Sequence, residues 1–175
     1  MSRSSYNDEY GDDFPGQLDL YRANVRRSMR GYFGQARLRE LRDALEALPV
    51  KALHADIFAE GTNDKPVVCA LGAWAFKKAG DTLAAQEMVT DPDDDEETAG
   101  SLAAHGWPRL VVFDTIYEND RDACTYIEVE GPHPSPYAYY GNSWPVRYRV
   151  EETPEQRYAR VLAWVSENID REPRT

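Results

Sequence analysis

A cysteine with two histidines, an acidic run, an arginine ladder and an aromatic loop are the groups in this 175-residue sequence whose types and spacings could do chemistry. Cys69, with His54 or His105 as base, could act as a nucleophile if a neighbour lowered its pKa. Its sequence neighbours Val67, Val68, Ala70 and Leu71 are apolar, which is the setting of an inert packing thiol. The run DPDDDEE alternates Asp91, Asp93 and Asp95 as a calcium loop does. That loop needs glycine at its sixth position and glutamate at its twelfth, and here Glu96 and Leu102 stand there. A solvated acidic loop is therefore expected, with Asp91, Asp93, Asp94, Asp95, Glu96 and Glu97 as a candidate acidic surface. Asp114 and Glu118 fall four residues apart on one helix face, where an exposed acidic face accounts for them without acid–base chemistry.

His54, His105 and His133 are isolated, without HExxH spacing, and no CxxC occurs. The sequence also lacks GxGxxG, GxxxxGK[ST] and GxSxG, the patterns of phosphate-cradling loops and of the hydrolase nucleophile elbow. No catalytic residue, metal or cofactor is expected. A disulfide between Cys69 and Cys124 is left open by the spacing.

Charge is unevenly distributed. The net charge is −11, yet Leu18 to Arg42 holds seven arginines against Asp19 and Glu40, while Lys51 to Gly100 holds four lysines against eleven acids. Arg22, Arg26 and Arg30 recur every four residues with Arg27 beside them, an arrangement that could track phosphates. The overall sign disfavours nucleic acid as a partner, so a solvated or internally paired face is expected. The stretch GPHPSPYAYYGNSWP, residues 131–145, is uncharged and carries three tyrosines, a tryptophan and four prolines. Large stiff rings among Ser, Gly and Asn make contact surfaces, and prolines lower the entropy lost on docking. Pro136, Tyr137, Tyr139, Tyr140, Asn142 and Trp144 are the candidate partner-binding residues; the competing reading has these rings capping the protein's own core.

The elements that must position these groups follow from periodicity. Residues 1–17 lack it and read as a flexible N-terminal arm. Leu18, Tyr21, Val25, Met29 and Tyr32 make one helical stripe, and Leu38, Leu41, Leu45 and Leu48 make a second that Pro49 stops. PVVCALGAWAFKKAG reads as a buried helix starting near Pro66, with Lys77 and Lys78 in its last turn and Gly80 as a left-handed cap. Another helix is expected from near Pro108 through RLVVFDTIYEND. The last has Pro154 first, Thr153 and Gln156 as a capping box, and Tyr158, Val161, Leu162, Val165 and Ile169 as its stripe.

Between those two helices the period changes to 2. Thr125, Ile127 and Val129 oppose Glu128 and Glu130, while Val146, Tyr148 and Val150 oppose Arg147 and Arg149. Residues 121–150 therefore read as an antiparallel β-hairpin, registered by opposite charges on its outer face, with the aromatic stretch as its tip. The prediction is a mainly α single domain of five or six helices over 18–170 with one inserted hairpin, followed by a tail at 171–175. The longest apolar run, Pro66 to Phe76, is too short to span a membrane. Met1 to Tyr10 is polar where a secretory signal would be apolar.

LRELRDALEALP, VCALGAWA and YEND, followed by ETPEQRYARVLAWV, together resemble a group of small acidic proteins encoded by bacteriophages and prophages. The resemblance covers residues 36–80, 110–120 and 151–169, and the hairpin and the arm stand outside it. It implies a viral or mobile-element origin, a place in the host cytoplasm or the virion, and a viral or homo-oligomeric protein partner. It carries over no activity and no site. With the aromatic tip, it leads to the expectation of a non-enzymatic phage protein working through protein contacts, a minor virion component of decoration or connector type. The alternatives are a host-directed inhibitor whose acidic surface imitates nucleic acid, and a small enzyme.

Overall fold

Each strongly striped segment forms a helix. The computed structural model describes residues 17–121, 123–132 and 143–169, so the expected arm, apart from Gln17, and the C-terminal tail lie outside the described residues. The chain divides into a helical unit, Met1–Arg121 with Pro154–Thr175, and a hairpin unit, Asp122–Thr153.

Helices α1 (Gln17–Arg30) and α2 (Tyr32–Ala47) meet at Gly31. Val25 and Met29 of the first stripe and Leu38, Leu41, Leu45 and Leu48 of the second are buried. Tyr32 leaves its expected stripe: the corner at Gly31 resets the phase, and Tyr32 is 83 % exposed. The buried amide of Gln35 donates to Met29 O (3.0 Å) and to Asn168 O (2.9 Å), tying the end of α1 to the end of the last helix.

Pro66 belongs to a strand rather than to a helix start. Strands β1 (Ala59–Thr62) and β2 (Lys65–Val68) form an antiparallel pair that aligns Gly61 with Pro66, turning at Asn63 and Asp64. A two-stranded ladder has only edges, where proline is tolerated. Helix α3 (Ala70–Ala79) starts after Cys69, and its residues Ala70 to Ala75 are all buried, as the all-round apolarity requires. Gly80 closes it with φ 89°, the left-handed cap. Two short helices stand beside the longer ones, where five or six helices in all were expected. Helix α4 (Thr82–Gln86) is capped by Asp81, which accepts from Ala84 N at 2.7 Å, and α5 (Asp95–Ala103) is capped by Asp94. Helix α6 (Arg109–Asp120) follows Pro108, and α7 (Pro154–Asn168) buries Val161 and Val165. The described residues thus form seven helices, with α3 packed against α2, α4 and α6, and α7 against α2 and α6. Fully burying one aliphatic side chain contributes about 1.5–3 kcal/mol, so the leucines of α2 are major supports of this unit.

In the hairpin unit β3 (Thr125–Pro132) pairs with β4 (Ser143–Val150) antiparallel. The register sets Ile127 opposite Tyr148, Val129 opposite Val146 and Glu128 opposite Arg147, in the antiparallel pairing expected. Glu130 faces Pro145 instead, and Val150, expected inward, is 40 % exposed at the strand end.

Candidate functional site

The groups at which chemistry was sought fall at two places in the helical unit. The first is a small cleft, about 30 Å³, bordered by Asp56, Cys69, Asp95, Thr98, Ile116 and Asp120. Cys69 sits here because it caps α3: its Sγ accepts from Gly72 N at 3.3 Å, in place of the oxygen that Ser or Asp would supply. Burial pushes the thiol up to about 12, the Gly72 N–H opposes this, and the charge of Asp120 adds to it. At neutral pH Cys69 is therefore a thiol rather than a thiolate, and neither His54 nor His105 borders the cleft. His105 stacks edge-on to Trp74 at 6.1 Å instead. Both Cys69 and Cys124 are thiols, not joined in a disulfide. The expected result of iodoacetamide treatment of folded protein at pH 7.5 is alkylation of Cys69 at least ~100-fold slower than after unfolding in urea. Equal rates would mean that the cleft opens and the thiol is activated.

The residue that organises the cleft is one the sequence reading missed. Asn119, 2 % exposed, accepts from Ala70 N (3.0 Å), an orphan donor of the first turn of α3, and donates to His54 O (3.0 Å) and Asp120 Oδ1 (2.7 Å). One carboxamide thus joins α6, α3 and the loop before β1. Asp120 beside it is raised above the usual carboxylate range, first by burial and then by the charge of Asp56, against the lowering hydrogen bond from Asn119. Because the folded-state pKa lies above the unfolded one, the folded chain holds the extra proton between the two values. Stability therefore falls as pH rises through that window and stays lower above it. Asp120→Asn is expected to flatten this slope when unfolding is followed by urea titration between pH 4 and 7; an unchanged slope would show that Asp120 does not carry it.

Glu118 corrects the expectation of an exposed acidic face. It is 6 % exposed, and its carboxylate meets Arg160 and Arg121, each at 2.9 Å. The helix period that carries Asp114 and Glu118 puts this position against α7, where a buried carboxylate persists only if paired.

The acidic run is a loop only as far as Asp94. Asp94 accepts from Glu96 N (2.8 Å) and Glu97 N (3.1 Å), Asp91 accepts from Asp93 N (2.9 Å), and Asp95, Glu96 and Glu97 form the first turn of α5. Carboxylates gather there because the N-terminal end of a helix is partly positive. Glu96 also pairs with Arg109. The carboxylates of Asp91, Asp94 and Glu96 are thus engaged in local bonds. Among the described residues no His, Cys, Asp and Glu side chains cluster so as to hold a metal ion, and no helix is long and apolar enough to cross a membrane.

The second place is the outer face of α1. Ala23, Arg26, Arg27, Arg30 and Gly31 line an open concavity. Arg22 reaches Asp19 at 4.0 Å, whereas Arg26, Arg27 and Arg30 are exposed and form no ion pair with a described residue. Beyond Gly31, Tyr32 and Phe33 stand 83 % and 62 % exposed with their rings edge to face at 5.4 Å. Of the two arrangements expected for these arginines, solvated or internally paired, Arg26, Arg27 and Arg30 show the solvated one.

Of the predicted contact residues, Pro136, Tyr137, Tyr139, Tyr140 and Asn142 lie outside the described residues, and Trp144 occupies β4 opposite Gly131. Set beside known proteins, the chain matches no protein-family model, and no curated protein or solved structure shows significant similarity to it.

Proposed function

We propose that this is a non-enzymatic protein of bacteriophage or prophage origin that works through protein contacts, as a minor virion component of decoration or connector type. The phage origin rests on the likeness of LRELRDALEALP, VCALGAWA, YEND and the last helix to small acidic phage proteins. The observation that carries the contact role is the exposure of Arg26, Arg27, Arg30, Tyr32 and Phe33 around the corner at Gly31. Arginine and tyrosine dominate binding hot spots, and two adjacent rings are left in water only at a cost that a partner can relieve. The state of Cys69, held protonated by burial, supports the same reading at the residue best suited to nucleophilic chemistry.

The test is the protein's abundance in purified particles. Quantitative mass spectrometry of gradient-purified virions is expected to find it at many copies per particle. Abundance in infected cells with none in particles would overturn the virion role.

A further inference from the structure

We infer that the arginine and ring face of α1 docks on a second copy of this chain, against the acidic start of α5. The inference deepens the contact reading above by naming the partner. Both halves of a complementary contact are present on one helical unit. One stretch, around the corner at Gly31, offers Arg26, Arg27 and Arg30, without ion pairs among the described residues, and exposed Tyr32 and Phe33. The other offers the exposed residues Asp91, Asp93, Asp94, Glu96 and Glu97 within seven consecutive positions, Glu96 being already paired with Arg109. Each arginine can fork onto a carboxylate, and the rings supply the apolar anchor that charge pairs at a surface lack.

Nucleic acid is the competing occupant, since rings beside arginines also suit stacked bases. The net charge of −11 argues against it, because a polyanion longer than the face would meet repulsion from the rest of the surface. A folded copy presents its carboxylates as a compact patch. The two faces differ, so the contact is head-to-tail and builds a ring or an open row of copies, the geometry a repeating coat needs.

The salt dependence follows. Two copies at −11 repel at long range, and this repulsion is screened beyond about 8 Å at physiological ionic strength, where touching charges still attract. Association is therefore expected to be greatest near 0.15 M salt and weaker both at very low salt and at about 1 M.

Sedimentation velocity of the whole chain over a ~100-fold concentration range tests this, with a contact of this size and charge expected to be weak. The wild type is expected to show a concentration-dependent rise in mass, lost in Arg26→Glu/Arg27→Glu/Arg30→Glu and lost again in Asp93→Lys/Glu97→Lys. Asp94, which caps α5, is left in place so that the helix survives, and circular dichroism verifies that both variants fold; Arg26→Gln/Arg30→Gln is the milder alternative. Mixing the two variants is expected to restore association, because the intact acidic patch of the first then meets the intact arginines of the second. A wild type that stays monomeric throughout, association indifferent to the arginines, or a mixture that fails to associate would each overturn the inference. So would a monomer that binds a fluorescent dT20 strand through Arg26 and Arg30, which would assign the face to nucleic acid. A monomer that is nonetheless abundant in particles would remove self-docking and leave the wider contact reading standing.

Discussion

Gly72→Ala is expected to destabilise the helical unit by about 3 kcal/mol or more, the upper range for forcing atoms into a packed interior, as read from urea unfolding. Helix propensity alone gives the opposite sign, because alanine is better than glycine inside a helix by about 1 kcal/mol. Packing decides the outcome. A Cβ on Gly72 would lie 1.5 Å from Phe58 O and 2.6 Å from Phe58 C, so the clash is with backbone rather than with a side chain that can swing away. That backbone is itself fixed, since Phe58 O accepts from Cys69 N (3.3 Å). Gly100, in α5, is the matched control: nothing lies within 4 Å of its added Cβ, and Gly100→Ala is expected to stabilise by about 0.5–1 kcal/mol. Equal effects at the two glycines would refute the close approach of α3 to the Phe58 segment.

Asn119→Ala is the second large effect expected, a loss of about 3 kcal/mol. The alanine leaves Ala70 N–H, His54 O and one interaction of Asp120 without partners, in a place where water does not reach Asn119. Each buried polar group so stranded costs roughly 1–3 kcal/mol. Asn119→Asp separates the parts: it keeps an acceptor for Ala70 N–H and sets a second carboxylate against Asp120 and His54 O. It is expected to be no more stable than the alanine variant at pH 7, and to recover on acidification as the pair takes up a proton. A loss below about 1 kcal/mol for Asn119→Ala would show that the three bonds are not needed together.

What could be read from the sequence was local in origin. The leucines of α2 and the stripe of α7 repeat at helical spacing because each helix must bury one side, and Gly80 betrayed its cap because few other residues adopt φ 89°. In the hairpin, alternation and opposite charge were enough to pair the two strands antiparallel, though not to fix which residues align, such as Glu128 with Arg147. Strands β1 and β2 were missed since four residues, AEGT and KPVV, are too short to show a period, although Asn63 and Asp64 are turn formers. The start of α5 was taken for a loop because crowded carboxylates suggest solvation, and the same crowding also marks a helix N-terminus. Asn119 left no local trace. Its partners Ala70 and His54 are 49 and 65 residues away, and only the fold brings them within bonding distance. The face of α1 was half legible: the arginine ladder was plain, whereas the exposure of Tyr32 depends on where Gly31 breaks the helix.

The hairpin unit leaves and rejoins the helical unit between two anchored residues. Both flanks are moored independently of what lies between them: Arg121 by its N–H to Tyr117 O (2.8 Å) and its pairing with Glu118, and Pro154 through its carbonyl, which accepts from Leu53 N (2.9 Å). The entropy of closing a connection grows only with the logarithm of its length. A connection of different length between Arg121 and Pro154 would therefore change the closure cost of the helical unit only slightly, by about 0.6 kcal/mol per doubling.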